Sequence, residues 1–325
     1  MSDSGPPSPA SDYPKLEHHR YDAQHILQDV YVYLPRPLHV PPLQHQPAPG
    51  YWVIYIHGGA WRDPEILAPS FSATQELLSS SSSSSTVSNA VIGYASINYR
   101  LTAHPRFPQD PTTVDRSEYR NAKHPEHLLD VRRALAFLQS RYAIGNRYLL
   151  VGHSCGATLA FQTVVDGLLD QPDQAAGTLA VPVPQPLAIV GVSGIYHLRL
   201  LRDTFSSCAV YQEFIEAAFG KDEDEWDRAS PGHGRGVVDG WKTGRLALIA
   251  HSGSDELVDI SQLQTMQKVL DAWKTQAWKG AGRRVLVVDD LQDAHDDIWR
   301  KGAELARVIQ TAIEELIRME EAAPL

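Results

Sequence analysis

Short apolar runs alternate with amphipathic stretches along most of the chain. Six runs are apolar enough to be strands buried on both faces of a sheet. These predicted strands are Tyr51–Ile56, Val91–Asn98, Tyr148–Val151, Leu187–Val192, Arg245–Ala250 and Arg283–Val288. The clearest helical stripes are Leu128, Val131, Leu135 and Leu138, and then Ile298, Leu305, Ile309, Ile313 and Leu316. Alternating strands and helices predict an α/β fold, a mostly parallel central sheet with helices on both faces.

Four segments without this periodicity interrupt the pattern. Residues 1–14 are rich in Ser, Pro and Asp and are expected to be a disordered tail. Residues 15–325 are predicted to form one domain, with flexible insertions near residues 35–49, 79–86 and 170–186. The first insertion is rich in proline, and the second contains the unbroken serine run Ser79–Ser85.

Composition excludes several classes of protein. The chain has 325 residues and a formal net charge of −10, with no Lys/Arg cluster of the kind that binds nucleic acid. Its two cysteines, Cys155 and Cys208, are too few for a disulfide framework and favour a reducing compartment. The N-terminus lacks the features of a secretory signal, and no apolar run approaches the roughly 18 residues of a membrane helix. We therefore expect a cytoplasmic protein that binds neither nucleic acid nor membranes, with a homodimer left open as an assembly.

The run Gly152–Gly156 matches the pattern G-x-S-x-G, with Ser154 at its centre. A strand-like run precedes it and an apolar helical run follows. Strand, sharp turn and helix form the nucleophile elbow of the α/β-hydrolase fold, where the helix N-terminus favours negative charge. Ser154 is therefore the predicted nucleophile. The alternative is a glycine-rich turn with an idle serine.

The partners of a serine nucleophile follow it in the order acid, then histidine, in this fold. Asp255 is the first carboxylate after the predicted strand Arg245–Ala250, and beyond it His295 is the one histidine left in the chain. We predict that Asp255 orients His295 and that His295 takes the serine proton. Glu256 and Asp259 are the rival acids, although Asp259 is better placed to cap the following helix. For His295 the alternative is a helix cap or a surface position.

A glycine pair follows the first long predicted strand, in the run His57, Gly58, Gly59, Ala60 and Trp61. Glycines let the backbone approach a developing oxyanion without a Cβ in the way. The predicted oxyanion hole consists of the N–H groups of Gly58, Gly59 and Cys155. Trp61 is predicted either to bind substrate or to pack the loop.

No cofactor or metal is expected. The histidine pairs His18–His19 and His124/His127 do not have the spacing of a zinc site. The glycine pair at Gly58 does not belong to a G-x-G-x-x-G dinucleotide fingerprint.

These motifs resemble those of the fungal kynurenine formamidases, also called arylformamidases. The similar segments are HGGAWRDP at 57–64, NYRL at 98–101, the elbow, SGIY at 193–196 and YQEFIEAAFG at 211–220. The resemblance implies hydrolysis of N-formyl-L-kynurenine to L-kynurenine and formate, in tryptophan degradation and NAD biosynthesis. It also implies a catalytic triad of Ser154, Asp255 and His295.

Two alternative functions remain at this point. The HGGxW run and the elbow also resemble the wider hormone-sensitive-lipase-like esterases, so a broad carboxylesterase with the same catalytic residues is the first. A non-catalytic binding protein on the same fold is the second, although the chain keeps a candidate for each triad position.

Overall fold

A sheet of eight strands organises the computed structural model, which describes residues 13–38, 50–80, 85–169, 182–276 and 282–322. The strands are β1 Lys15–Arg20, β2 Asp29–Leu34, β3 Tyr51–Ile56, β4 Val91–Ile97, β5 Tyr148–His153, β6 Ala188–Val192, β7 Leu246–Ser252 and β8 Arg284–Leu291. Their order in the sheet is β1-β2-β4-β3-β5-β6-β7-β8. β3 to β8 are parallel, while β1 and β2 are antiparallel to their neighbours. The predicted mostly parallel sheet is confirmed.

The predicted interruptions of the fold lie largely outside the described residues. All but the last two residues of the tail, most of the proline-rich insertion, the middle of the serine run and most of residues 170–186 fall there. The expectations about their flexibility remain predictions.

Helices cover both faces of the sheet, as the stripes predicted. They are α1 Ser72–Ser79, α2 Ser85–Ala90, α3 Glu126–Tyr142, α4 Cys155–Gln162, α5 Leu198–Thr204, α6 Ala209–Phe219, α7 Glu223–Ala229, α8 Gly236–Gly240, α9 Ser261–Thr275, α10 Asp297–Lys301 and α11 Ala303–Glu321. A short 3-10 helix spans Ala68–Phe71. The C-terminal stripe is divided between α10 and α11, because Gly302 adopts a φ of 73° and ends the first helix. No described helix combines the length and the apolar composition required to cross a membrane.

Two hydrophobic cores lie on opposite faces of the sheet. Successive side chains of a strand point to opposite faces, so β3 contributes to both cores. Trp52 and Ile54 pack in the core that includes α3 and α4, whereas Tyr51 and Val53 pack in the core that includes α1 and α11. This two-sided burial explains why β3 is a continuous apolar run instead of an alternating one. It also holds the carboxyl ends of β3, β5, β7 and β8 at one edge of the sheet.

Candidate active site

Ser154 lies in a sharp turn between β5 and α4. Its backbone has a φ of 55° and a ψ of −126°, a left-handed conformation that a non-glycine residue adopts only at a cost of about 1–3 kcal/mol. The flanking glycines allow the close crossing of strand and helix. A Cβ on Gly152 would lie 2.3 Å from the carbonyl of Gly156, and one on Gly156 would lie 2.2 Å from the carbonyl oxygen of Ile56. The turn has the backbone geometry of a nucleophile elbow.

His295 and Asp255 form a buried hydrogen-bonded pair at the ends of β8 and β7. The Nδ1 atom of His295 lies 2.9 and 2.8 Å from the two carboxylate oxygens of Asp255. Asp255 Oδ1 also accepts the backbone N–H groups of Leu257 and Val258, at 3.0 and 2.9 Å. Burial alone would raise the pKa of Asp255, but these hydrogen bonds and the charge of His295 lower it to about 2. Asp255 is therefore an anion at neutral pH, suited to orient an imidazole and stabilise its cation.

The two rival acids have other partners. The Glu256 carboxylate accepts the backbone N–H of His295 at 3.2 Å, and among the described residues no hydrogen bond joins it to the ring. The Asp259 carboxylate accepts the N–H of Ser261 at 2.9 Å, at the start of α9. Of the three candidate acids, Asp255 is the one whose carboxylate holds the ring of His295.

Ser154 and His295 line the same cavity. No hydrogen bond joins their side chains in the described part of the chain. Catalytic hydrogen bonds are often long until substrate is bound. The ring of His153 lies against the ring of His295, with centroids 4.6 Å apart.

The loop after β3 places free backbone donors beside the elbow. Gly59, Ala60 and Trp61 have successive φ values of 91°, 47° and 60°, an unusual run of left-handed residues. Among the described residues, no backbone carbonyl accepts the N–H groups of Gly58, Gly59 and Cys155. Unpartnered N–H groups at a strained turn beside a nucleophile are the arrangement that stabilises an oxyanion.

Tyr99 holds this loop from below, a role that sequence reasoning missed. Its hydroxyl donates to the carbonyls of His57 and Gly58, at 3.1 and 3.2 Å, and its ring stacks on the His57 ring at 4.3 Å. Burial lowers the pKa of His57 to about 4, so this ring is neutral and suited to packing. Tyr99 belongs to the NYRL segment, one of the segments similar to the fungal family. That similarity was the feature of the sequence that could have indicated its importance.

Trp61 does not line the cavity. Its side chain is fully buried and packs edge-on against Phe219 at 4.9 Å, while its backbone N–H donates to the Sγ atom of Cys155 at 3.3 Å. Of the two predicted roles, the structure favours packing of the loop over contact with substrate.

The cavity has a volume of about 540 Å³ and is lined partly by apolar side chains and partly by charged or titratable ones. The aromatic and aliphatic side chains come mainly from the end of α5, from α6 and from the turn after β7, with two more from the loops after β3 and β6. The charged or titratable side chains come from the HGGxW loop, from the connection between β4 and α3, and from the turns after β7 and β8. The apolar residues are Ile66, Ile195, Phe205, Val210, Tyr211, Phe214, Leu257 and Val258, and the charged or titratable ones are Arg62, Asp63, His104, Arg106, Glu256, His295 and Asp296.

Both thiols of the chain are free. Cys155 is buried behind the elbow, where burial raises its pKa to about 11. Cys208 is exposed and lines the cavity. Neither is suited to be the nucleophile, since Cys155 is protonated at neutral pH and Cys208 lies outside the elbow.

One group of potential metal ligands lies away from the cavity, among the described residues. Atoms of His197, Asp227 and His233 lie within 4.8 Å of one another. The Arg199 guanidinium already pairs with Asp227 at 2.7 Å, which places a cation where a metal ion would compete. The histidine pairs considered from sequence spacing are not part of this group.

Comparison with known proteins identifies the family. A family model described as an alpha/beta hydrolase family matches residues 53–323. This chain belongs to the alpha/beta hydrolase family. The predicted α/β-hydrolase fold is thereby confirmed.

Several fungal proteins are similar to this chain over most of their length. A kynurenine formamidase-like hydrolase of Fusarium equiseti is 40% identical over 271 residues, which cover 82% of this chain and 84% of that protein. A kynurenine formamidase of Aspergillus versicolor is 39% identical and covers 78% of this chain and 85% of that protein. A kynurenine formamidase of Saccharomyces cerevisiae is 27% identical, with 77% and 84% covered. The resemblance to the fungal kynurenine formamidases is confirmed.

Solved structures of the alpha/beta hydrolase fold include bacterial esterases. Esterase B of Lactobacillus rhamnosis has a TM-score of 0.61 at 15% identity and covers 96% of this chain and 92% of that one. An esterase of Thermogutta terrifontis has a TM-score of 0.57 at 18% identity, with 97% and 98% covered. At these identities the similarity shows the fold and does not distinguish an esterase from a formamidase.

Proposed function

We propose that this protein is a kynurenine formamidase, which hydrolyses N-formyl-L-kynurenine to L-kynurenine and formate. The observation that carries the proposal is the 39–40% identity to two fungal proteins of that name or type over about four fifths of the chain. The site supports it, since a candidate nucleophile, a buried His–Asp pair and free N–H donors meet at one cavity. The cavity is large enough for a substrate with one aromatic ring.

In the proposed first half-reaction, His295 takes the proton of Ser154 as Oγ attacks the formyl carbon. The carbonyl oxygen becomes an oxyanion, which accepts hydrogen bonds from Gly58, Gly59 and Cys155. Each such donor typically contributes about 10²–10³ in rate. The C–N bond then breaks, and His295 gives its proton to the departing aryl amine. L-kynurenine leaves, and Ser154 carries the formyl group.

In the second half-reaction, His295 takes a proton from water, and the hydroxyl attacks the formyl-serine. The oxyanion forms again at the same donors. The ester bond breaks, the serine oxygen regains a proton from His295, and formate leaves. Asp255 remains ionised throughout and stabilises the imidazolium in both halves.

The acyl side of the substrate tests this function. A formyl carbon bears only hydrogen, so a formamidase requires no volume beyond the carbonyl. Each extra methylene that must enter a packed site costs about 1–3 kcal/mol, or about 5- to 150-fold in rate. We therefore expect kcat/KM to fall steeply from formyl to acetyl, propionyl and butyryl on one aryl leaving group, after correction for uncatalysed hydrolysis.

If the protein is a broad carboxylesterase, we expect kcat/KM to rise with the length of the acyl chain. Its acyl pocket would gain about 0.8 kcal/mol of binding with each buried methylene. A corrected rate that rises toward butyryl would therefore contradict the formamidase function and favour the esterase. If the wild type cleaves no member of the series, a non-catalytic binding protein is favoured.

A further inference from the structure

Five charged or titratable side chains cluster at one end of the cavity, around His104. The backbone N–H of Arg106 donates to His104 Nδ1 at 3.0 Å. Burial lowers the pKa of His104, and the charges of Arg62, Asp63, Arg106 and Glu213 all act on it. Arg62, Asp63, His104 and Arg106 line the same cavity, and Glu213 joins them through its ion pair with Arg62. They include both signs of charge, which is the property that a zwitterionic ligand requires.

Two of these charges already neutralise each other. The Arg62 guanidinium pairs with Glu213 at 2.8 Å and lies over the ring of Phe214, 5.6 Å from its centroid. In the described part of the chain, the guanidinium of Arg106 has no ion pair and no hydrogen-bond acceptor. Asp63 accepts the backbone N–H of Glu65 at 2.9 Å but pairs with no cation there. Around His104, Arg106 and Asp63 are thus a cation and an anion without an ion pair that line the same cavity, while Glu256, which also lines it, accepts the backbone N–H of His295.

The apolar part of the cavity suits an aromatic ring. Phe205 and Tyr211 stack with centroids 4.3 Å apart, and Phe214 lies beside Tyr211 at 5.6 Å. The Tyr211 hydroxyl donates to the carbonyl of Leu257 at 2.8 Å, which joins α6 to the turn after β7. This wall is therefore held together before any ligand binds, and aromatic rings pack favourably on such a surface.

We propose that the charged end binds the amino-acid tail of the substrate, with Arg106 on its carboxylate and Asp63 on its ammonium group. The inference rests on the proposed function and identifies the residues that recognise the α-amino-acid part of its substrate. Arginine holds a carboxylate through two parallel hydrogen bonds, which fixes its orientation as well as its charge. Orientation at the tail positions the formamide carbon over Ser154.

The test compares two formamides in the wild type and in Arg106→Gln. N-formyl-L-kynurenine carries the tail, and N-(2-acetylphenyl)formamide has the same ring and formamide without it. We expect Arg106→Gln to lower kcat/KM for the first substrate by about tenfold or more, mainly through KM, as for loss of a charged hydrogen bond. The rate with the second substrate is expected to stay within about twofold of the wild type. Asp63→Asn should show the same split.

Arg116→Gln is the matched control, since Arg116 is an exposed arginine on the same connection between β4 and α3 and does not line the cavity. It should leave both rates unchanged. Equal losses for both formamides in Arg106→Gln would overturn the proposal, because Arg106 would then shape the cavity and not bind the tail. No loss with either formamide would overturn it as well.

A binding measurement separates this proposal from the function on which it rests. If the wild type cleaves neither formamide, the proposed function fails and calorimetry decides the role of Arg106. In a Ser154→Ala background, Arg106→Gln should weaken binding of L-kynurenine by about tenfold or more and leave binding of 2-aminoacetophenone unchanged. Unweakened binding of L-kynurenine, or no binding before Arg106 is replaced, would overturn the proposal.

Discussion

The two histidines in contact beside Ser154 differ in their partners. His295 has the carboxylate of Asp255, whereas both ring nitrogens of His153 are buried without a hydrogen-bond partner in the described part of the chain. Burial holds the pKa of His153 well below its usual range, so that ring is uncharged at neutral pH. No like charge therefore opposes a proton on His295 from this side, and His153 contacts the ring by packing, while Asp255 holds it by hydrogen bonds.

The triad is tested at this scale by replacing the acid and the nucleophile. Asp255→Asn should lower kcat by about a thousandfold or more, because the amide cannot stabilise the imidazolium, and Ser154→Ala should cost at least as much. Asp259→Asn is the control, since its carboxylate contacts the start of α9 and not His295. Circular dichroism should show the same fold in all three proteins. Near wild-type turnover in Asp255→Asn, or a comparable loss in Asp259→Asn, would contradict the assignment.

Chain order alone could predict which residues are candidates for the triad, but not which side chains surround them. The order of acid and histidine in the fold singles out His295, whatever the length of the loops. Whether Trp61 faces the cavity or the core depends on the left-handed φ values of its loop, which a motif does not encode. The position of Arg106 depends on an irregular connection without periodicity. These residues could be placed only in three dimensions.

At the scale of elements, the strands missed from the sequence are those at the antiparallel edge of the sheet. β1 is polar, with exposed and half-buried side chains, as is typical of an edge strand. β2 could have been predicted from the sequence. Val30 and Val32 are buried while Tyr31 and Tyr33 are half-buried, and this period of two is typical of a strand that is covered on one side. The six predicted strands are the parallel ones, and β3 to β7 are continuously apolar because they are buried on both faces. β8 was expected to be buried as well, but it lies at the other edge of the sheet and is mostly half-buried or exposed.

Because β3, β5 and α4 cross closely at the elbow, we expect a side chain added at Gly156 to disturb it. Gly156→Ala would place a Cβ 2.2 Å from the carbonyl oxygen of Ile56, so α4 must move away from the sheet. Overpacking of this kind costs about 1–3 kcal/mol or more, and here it also displaces Ser154. We expect a lower free energy of unfolding in urea and a strong loss of kcat. Gly282→Ala, where nothing lies within 4 Å of the added Cβ, should change neither.

At the scale of the whole molecule, burial of neutral histidines couples stability to pH. Burial lowers the pKa of His57 and of His124 to about 4 each, and of His127 to about 3. An unfolded histidine titrates near about 6.5, so below that pH the unfolded chain binds protons that the folded chain does not. The stability is therefore complete above about pH 6.5 and is lost as the pH falls toward about 4.

The free energy of unfolding should fall by roughly 5 kcal/mol between pH 7 and pH 5 from these three histidines, since each contributes about 1.4 kcal/mol per pH unit below about pH 6.5. Urea titrations at several pH values measure this slope. His127→Gln should weaken the dependence of the free energy of unfolding on pH by the contribution of one histidine. His233→Gln, at an exposed position, should leave this dependence unchanged. A free energy of unfolding that is flat over this range would show that these rings are protonated in the folded protein.

The order of the strands along the chain also bears on when the protein becomes active during synthesis. The elbow follows β5, near the middle of the chain, whereas His295 follows β8, the last strand. When the first half of the chain has been synthesised, the proposed nucleophile is present, but its proposed acid and base are not. In the proposed mechanism the serine therefore stays inert until translation is nearly complete, and premature termination yields no partial hydrolase.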